Sequence, residues 1–189
     1  MVDQFRDGFD KLIQLNPTDA KYFRDGQLKT ETVRFSHESA SVPANKTTPV
    51  GLGTNFSMFV ELYYDSGIQE NDILIDTVTG NAWKVGAVDS VWAEGEVYGK
   101  HAPLYKVVPK STNSITSFRI NNISGIISGG NITVTLSDGT DVTALTPVIA
   151  HSGKMITPTS AQDFTNPKTY TVTAENLSTQ NYIVTVVLA

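Results

Sequence analysis

Two periodicities organise this chain. Near its start the apolar residues Phe5, Phe9, Leu12 and Ile13 recur at helical spacing, which puts them on one face of an amphipathic helix. Asp3 stands where an N-cap belongs, Gly8 weakens the helix, and Asn16-Pro17-Thr18-Asp19 ends it. Beyond that point the period is two. Phe56, Met58, Val60, Leu62 and Tyr64 alternate with other residues, which predicts a strand with one buried face. Asp65-Ser66-Gly67 turns the chain, and Ile73-Leu74-Ile75 runs through Thr77-Val78-Thr79-Gly80-Asn81 into Trp83-Lys84-Val85 as a hairpin. Further strands are expected at 87–93, 96–98 and 104–108. Strands this short and closely spaced point to a small barrel.

The alternation is cleaner in the second part. Phe118 and Ile120 share a face, as do Ile132, Val134 and Leu136, then Tyr170 and Val172, then Tyr182, Val184, Val186 and Leu188. Turn signals stand at Ser128-Gly129-Gly130, Ser137-Asp138-Gly139, Ser152-Gly153 and Asn166-Pro167. Short strands with turns every 8–12 residues or so predict an antiparallel sandwich. Charge also divides the chain. Residues up to Lys110 hold 15 of the 19 acidic and 11 of the 14 basic side chains. The polar run Pro109-Lys110-Ser111-Thr112-Asn113-Ser114 therefore separates a first domain, 1–110, from a second, 114–189.

Composition excludes several classes. There is no cysteine, so no disulfide framework, thiolate metal site or cysteine nucleophile. The start MVDQFRDGFD is acidic where a signal peptide needs basic residues, and no stretch has the length of a membrane span, so the expectation is a soluble, unsecreted protein without membrane contact. Net charge is −5, and no basic stripe for gripping nucleic-acid phosphates is visible.

Candidate chemistry is sparse. His37, His101 and His151 have no second histidine at ligand spacing, and no HExxH, Walker A, GxSxG or DxDxDG pattern occurs. Asp65, Glu70, Asp72 and Asp76 gather in sequence, and paired carboxylates can hydrolyse glycosides. With no flanking aromatic cleft they read as a solvated barrel end. Trp83 and Trp92 could stack on bases or sugars, but on alternating strands they read as core. The expectation is a protein with no catalytic residues, metal or cofactor. One segment remains unusual. His37-Glu38-Ser39-Ala40-Ser41-Val42-Pro43-Ala44-Asn45-Lys46-Thr47-Thr48-Pro49-Val50-Gly51-Leu52-Gly53-Thr54-Asn55 has little to pack, and loops beyond about 12–15 residues are uncommon unless functional or disordered.

The opening Leu12-Ile13-Gln14-Leu15-Asn16-Pro17-Thr18-Asp19, the long polar loop and the hairpin Asn71-Asp72-Ile73-Leu74-Ile75-Asp76 … Gly80-Asn81-Ala82-Trp83-Lys84-Val85 resemble tailed-phage head completion proteins, the stopper-like head–tail connectors. That resemblance covers about residues 1–110. It implies a homo-oligomeric ring in the virion neck, between portal or adaptor and tail proteins and assembled in the host cytoplasm. The segment 37–55 would be a channel loop that helps to retain packaged double-stranded DNA. From Ser114 on, Ile115-Thr116-Ser117-Phe118-Arg119-Ile120, Ile132-Thr133-Val134-Thr135-Leu136, Leu145-Thr146-Pro147-Val148-Ile149, Asn166–Ala174 and Tyr182-Ile183-Val184-Thr185-Val186 resemble the immunoglobulin-like modules of bacterial surface and phage virion proteins, which touch host surfaces or glycans weakly. The expected fold is thus all-β with one short N-terminal helix, a small β-barrel followed by an immunoglobulin-like β-sandwich. A tail-tube, tail-terminator or capsid decoration subunit is the alternative, and a glycan-binding or adhesin module a second.

Overall fold

A computed structural model describes residues 10–11, 13–39, 56–93 and 96–189. The chain forms two compact units that divide between Val108 and Pro109, apart from the short segment 25–27, which is grouped with the second. Ahead of the first strand, Ile13 is buried in a helical turn where the Leu15 amide donates to the Lys11 carbonyl at 3.1 Å. Phe5, Phe9 and Leu12 of the expected helix lie outside the described residues.

The first unit is built from β1 (Thr18–Arg24), β2 (Gln27–Ser39), β3 (Phe56–Tyr63), β4 (Ile73–Asp76), β5 (Ala82–Val85), β6 (Asp89–Ala93) and β7 (Glu96–Val107). Their order is β3-β2-β1-β4-β5-β7-β6, and β3 also pairs with β7. Six strands therefore close into a barrel, with β6 hung on β7. Closure removes most unpaired edges. Ala20, Tyr22, Val33, Val60, Leu62, Leu74, Val85, Ala102 and Leu104 fill the interior, and Ile68, from the loop after β3, joins them.

Local chemistry explains the hairpins. Asp25 and Gly26 both have positive φ (52° and 70°), as a two-residue turn matched to strand twist requires, so Asp-Gly joins β1 to β2. In the β4–β5 turn, the buried Asp76 carboxylate accepts from the amides of Val78 (2.8 Å) and Thr79 (3.2 Å) and from the Thr79 hydroxyl (2.5 Å). Tyr64 falls beyond β3 and is exposed, which ends the expected alternation one residue early.

β7 is one strand where separate strands at 96–98 and 104–108 are expected. Pro103 within it costs the ladder no donor. On that edge the β6 pairing ends at His101 and the β5 pairing begins at Leu104, so proline falls in the interval. Its carbonyl still accepts from the Gly86 amide at 2.8 Å.

The second unit is a sandwich. Its strands are β8 (Ile115–Ile120), β9 (Ile123–Ser124), β10 (Ile126–Ser128), β11 (Asn131–Leu136), β12 (Val148–His151), β13 (Met155–Thr157), β14 (Lys168–Thr173) and β15 (Thr179–Leu188). One sheet runs β10-β11-β15-β14-β13, the other β12-β8-β9. Only β11 and β15 pair in parallel among these. The chain changes sheets at Gly125, where an added Cβ would sit 2.9 Å from Ile132 Cγ2 and 3.0 Å from Val134 Cγ2. In place of a disulfide, the core centres on Tyr170, edge-on to Phe118 (centroids 5.4 Å, 79°) and stacked with Phe164 (6.5 Å, 10°). Leu188, expected on the buried face, is exposed at the end of β15.

Candidate functional site

On β7, Tyr98, Ala102 and Leu104 turn inward, so Gly99, His101, Pro103 and Tyr105 are on the outward side of the strand, where Gly99 is itself covered and the other three reach solvent. Across the β3 ladder they meet Tyr63, Glu61 and Phe59, at Gly99, His101 and Pro103 respectively. On the other edge Val91 and Asp89 of β6 oppose Gly99 and His101, and Lys84 of β5 opposes Tyr105. The Phe59 and His101 rings stack, with centroids 4.5 Å apart and planes 14° from parallel. Beside them Arg34 of β2 donates through Nη1 to Glu61 Oε2 at 2.8 Å. Gln14 donates through Nε2 to the Tyr63 hydroxyl at 2.6 Å. Tyr105 remains 43% exposed. Gly86 lets its ring come close, since a Cβ there would lie 3.0 Å from Tyr105 Cε2 and 2.8 Å from Pro103 Cγ.

The chemistry this surface offers is dual. Ring faces attract apolar C–H surface by dispersion and quadrupole effects. The guanidinium and carboxylate beside them present planar, multidentate hydrogen-bonding groups. Phe59 and Tyr63 escaped the sequence reading because they occupy the face that alternation with Met58, Val60 and Leu62 leaves to solvent. Two aromatics on that face were the available signal.

A second polar cluster is structural. Glu31 accepts from the Tyr22 hydroxyl, the Ser66 hydroxyl (2.5 Å) and the Gly67 amide (3.2 Å). Arg24 donates to the Gly67 carbonyl (2.9 Å) and pairs with Asp72, which also accepts from the Gln69 amide (2.7 Å). Lys100 donates to the Ser66 carbonyl at 2.7 Å. Burial, and then the bond to Glu31, push the Tyr22 hydroxyl far above the ordinary tyrosine range. The network fastens the β3–β4 loop so that Ile68 can plug the barrel.

The expected sites redistribute accordingly. Asp72 and Asp76 are not solvated: one pairs with Arg24 and the other caps a turn. His37, Glu38 and Ser39 belong to β2 rather than to a loop, and residues 40–55 lie outside the described residues. His101 stacks on Phe59, and His151 sits half-buried on β12. Among the described residues no group of three or more His, Asp or Glu could hold a metal ion. Trp83 packs against the barrel core, as expected, but Trp92 is 64% exposed on β6. There the β6–β7 register shifts between Val91 and Trp92, a bulge of the kind that re-aims side chains.

Comparison with known proteins locates the second unit. Residues 115–186 match the family model described as SGBP, N-terminal, from surface glycan-binding proteins. The match covers less than half of the chain and states similarity to that family. A solved structure described as a "putative glycoside hydrolase" from Bacteroides thetaiotaomicron is similar at 29% identity, over 43% of this chain and 26% of that one, with a TM-score of 0.39. The chain spans about a quarter of that protein's length. Curated proteins give no match.

These findings correct the resemblance to phage neck proteins. The sandwich matches a surface glycan-binding family, and nothing points to a stopper, ring, portal, tail or DNA channel. The tail-tube, tail-terminator and capsid decoration alternatives fall with it. The physical reason lies in the motif that suggested a connector. Asp76 and Gly80 serve turn chemistry, one as an acceptor for turn amides and the other at φ 72°. Any small barrel with that hairpin would show the same letters.

Proposed function

We propose that this chain is a non-catalytic glycan-binding module displayed at a cell surface. The observation that carries the reading is the match of the sandwich to the SGBP N-terminal family model over residues 115–186. The outer barrel surface supports it with suitable chemistry. A sugar ring has an apolar C–H face and an equatorial rim of hydroxyls, which stacked rings and flanking planar polar groups are suited to bind. Phe59, His101 and Tyr105 supply the rings, and Arg34, Glu61 and Asp89 the polar groups. No step of bond cleavage enters this function.

The test is native affinity electrophoresis of the full chain through gels containing a panel of polysaccharides, with product analysis of the retained polymer. The expected result is retardation by at least one polysaccharide and no release of reducing ends. Free migration through every gel would refute glycan binding. Accumulating reducing ends would refute the non-catalytic part.

A further inference from the structure

Resting on the glycan reading, we propose that the outer face of β7 binds an extended, uncharged polysaccharide chain along its length rather than a terminal sugar. The face is long. From the level of Tyr63 and Gly99 to that of Tyr105 the face runs six residue steps, roughly 20 Å at about 3.3 Å per residue. A single sugar ring is far shorter than this.

The groups along that length stand in a fixed order. Tyr63 stands on the first rung, His101 with the Arg34–Glu61 pair and Asp89 on the second, Phe59 with Pro103 on the third, and Tyr105 with Lys84 on the fourth. A ring thus recurs on every rung, with polar groups flanking the second and fourth, which suits a polymer that repeats the same apolar and hydroxyl surfaces. Among the described residues nothing closes either end, where Val91 is 37% and Tyr105 43% exposed, so a chain can run off both.

Charge on this face is balanced. Arg34 and Glu61 satisfy each other, and Lys84 and Asp89 contribute one charge of each sign. Among the described residues of this face an acidic polysaccharide would find no cluster of unpaired cations to receive its carboxylates. A neutral chain leaves the existing pair intact.

The experiment is titration calorimetry of the full chain with neutral gluco- and manno-oligosaccharides of two to six units, with polygalacturonate as the acidic probe. Tyr105→Ala removes an exposed ring outside the core, and Gly86→Ala displaces that ring without removing it; melting curves verify folding of both. Affinity is expected to rise at least about tenfold from two to six units, and both substitutions should abolish most of that gain. Equal affinity across the series would overturn the extended site while leaving glycan binding intact. So would an undiminished gain in both variants, and tighter binding of polygalacturonate would overturn the preference for neutral chains. Failure of every polysaccharide to bind the folded protein would overturn the glycan reading itself.

Discussion

The backbone amide of Lys110 donates to Glu175 Oε2 at 2.9 Å, a link across 65 positions. Lys154 Nζ lies 3.0 Å from the other carboxylate oxygen, and the Asn176 amide returns a bond to the Lys110 carbonyl at 3.1 Å. Together they pin the first residues of the second unit to the β14–β15 turn. Burial alone would push this carboxyl up. The Lys110 amide and the Lys154 ammonium outweigh it and hold Glu175 below the ordinary glutamate range.

A pH dependence follows. Because the folded value is depressed, the stabilisation is present above the unfolded glutamate value and is lost as pH falls through the folded one. Glu175→Gln should therefore melt at a lower temperature than the parent at pH 7, with the gap closing at strongly acidic pH. Melting curves from pH 7 to pH 3 check this, and a constant gap would contradict it.

Tyr170 gives the opposite sign. Its ring is fully buried, its hydroxyl finds no partner among the described residues, and burial pushes its pKa up to about 12. Removing an unpaired buried hydroxyl relieves a desolvation cost of about 1–3 kcal/mol, so Tyr170→Phe should match or exceed the parent in denaturant midpoint. Tyr170→Ala should cost about 3–5 kcal/mol. Between pH 10 and 12 the unfolded tyrosine loses its proton while the folded one keeps it, so the parent loses stability as pH rises. The phenylalanine variant should lose less.

Gly153 offers a steric test. A Cβ there would stand 2.5 Å from Val172 Cγ1 and 2.7 Å from the Thr173 carbonyl oxygen. The carbonyl belongs to the backbone of β14 and accepts from the Lys154 amide at 2.8 Å, so it cannot swing aside as a side chain would. Gly153→Ala should destabilise the sandwich by about 1–3 kcal/mol, read from urea unfolding. Gly130→Ala, whose Cβ would come no nearer than 3.4 Å to its neighbours, is the mild control.

Glu31 tests the barrel plug. Glu31→Ala removes the acceptor for Tyr22, Ser66 and Gly67 together and should cost about 1–3 kcal/mol through the groups left unpaired. Limited proteolysis is then expected to cut the 64–72 loop faster than in the parent. Unchanged cleavage would show that the loop is held by Ile68 packing alone.

Much of this protein was legible before any coordinates. Alternation at Met58, Val60 and Leu62, and at Ile132, Val134 and Leu136, marked buried faces because a strand repeats every two residues and one face must leave water. The absence of cysteine made the sandwich core depend on packing, which Phe118, Phe164 and Tyr170 supply. Turn residues such as Gly80 and Gly139 marked where φ turns positive.

Other properties depend on pairings that no local pattern encodes. Closure of the barrel rests on β3 meeting β7 some forty residues later, and register decides which residues oppose one another. That register sets Phe59 against His101, Glu61 beside Arg34, and Tyr105 over Gly86, none of them neighbours in sequence. Asp72 and Asp76 read as a solvated acidic end because sequence shows charges but not their partners. Periodicity by itself determined the all-β character of the chain and which face of most strands leaves water, because burial acts residue by residue. Long-range pairing alone decided what the solvent-facing positions assemble into, because only the closed sheet brings them side by side.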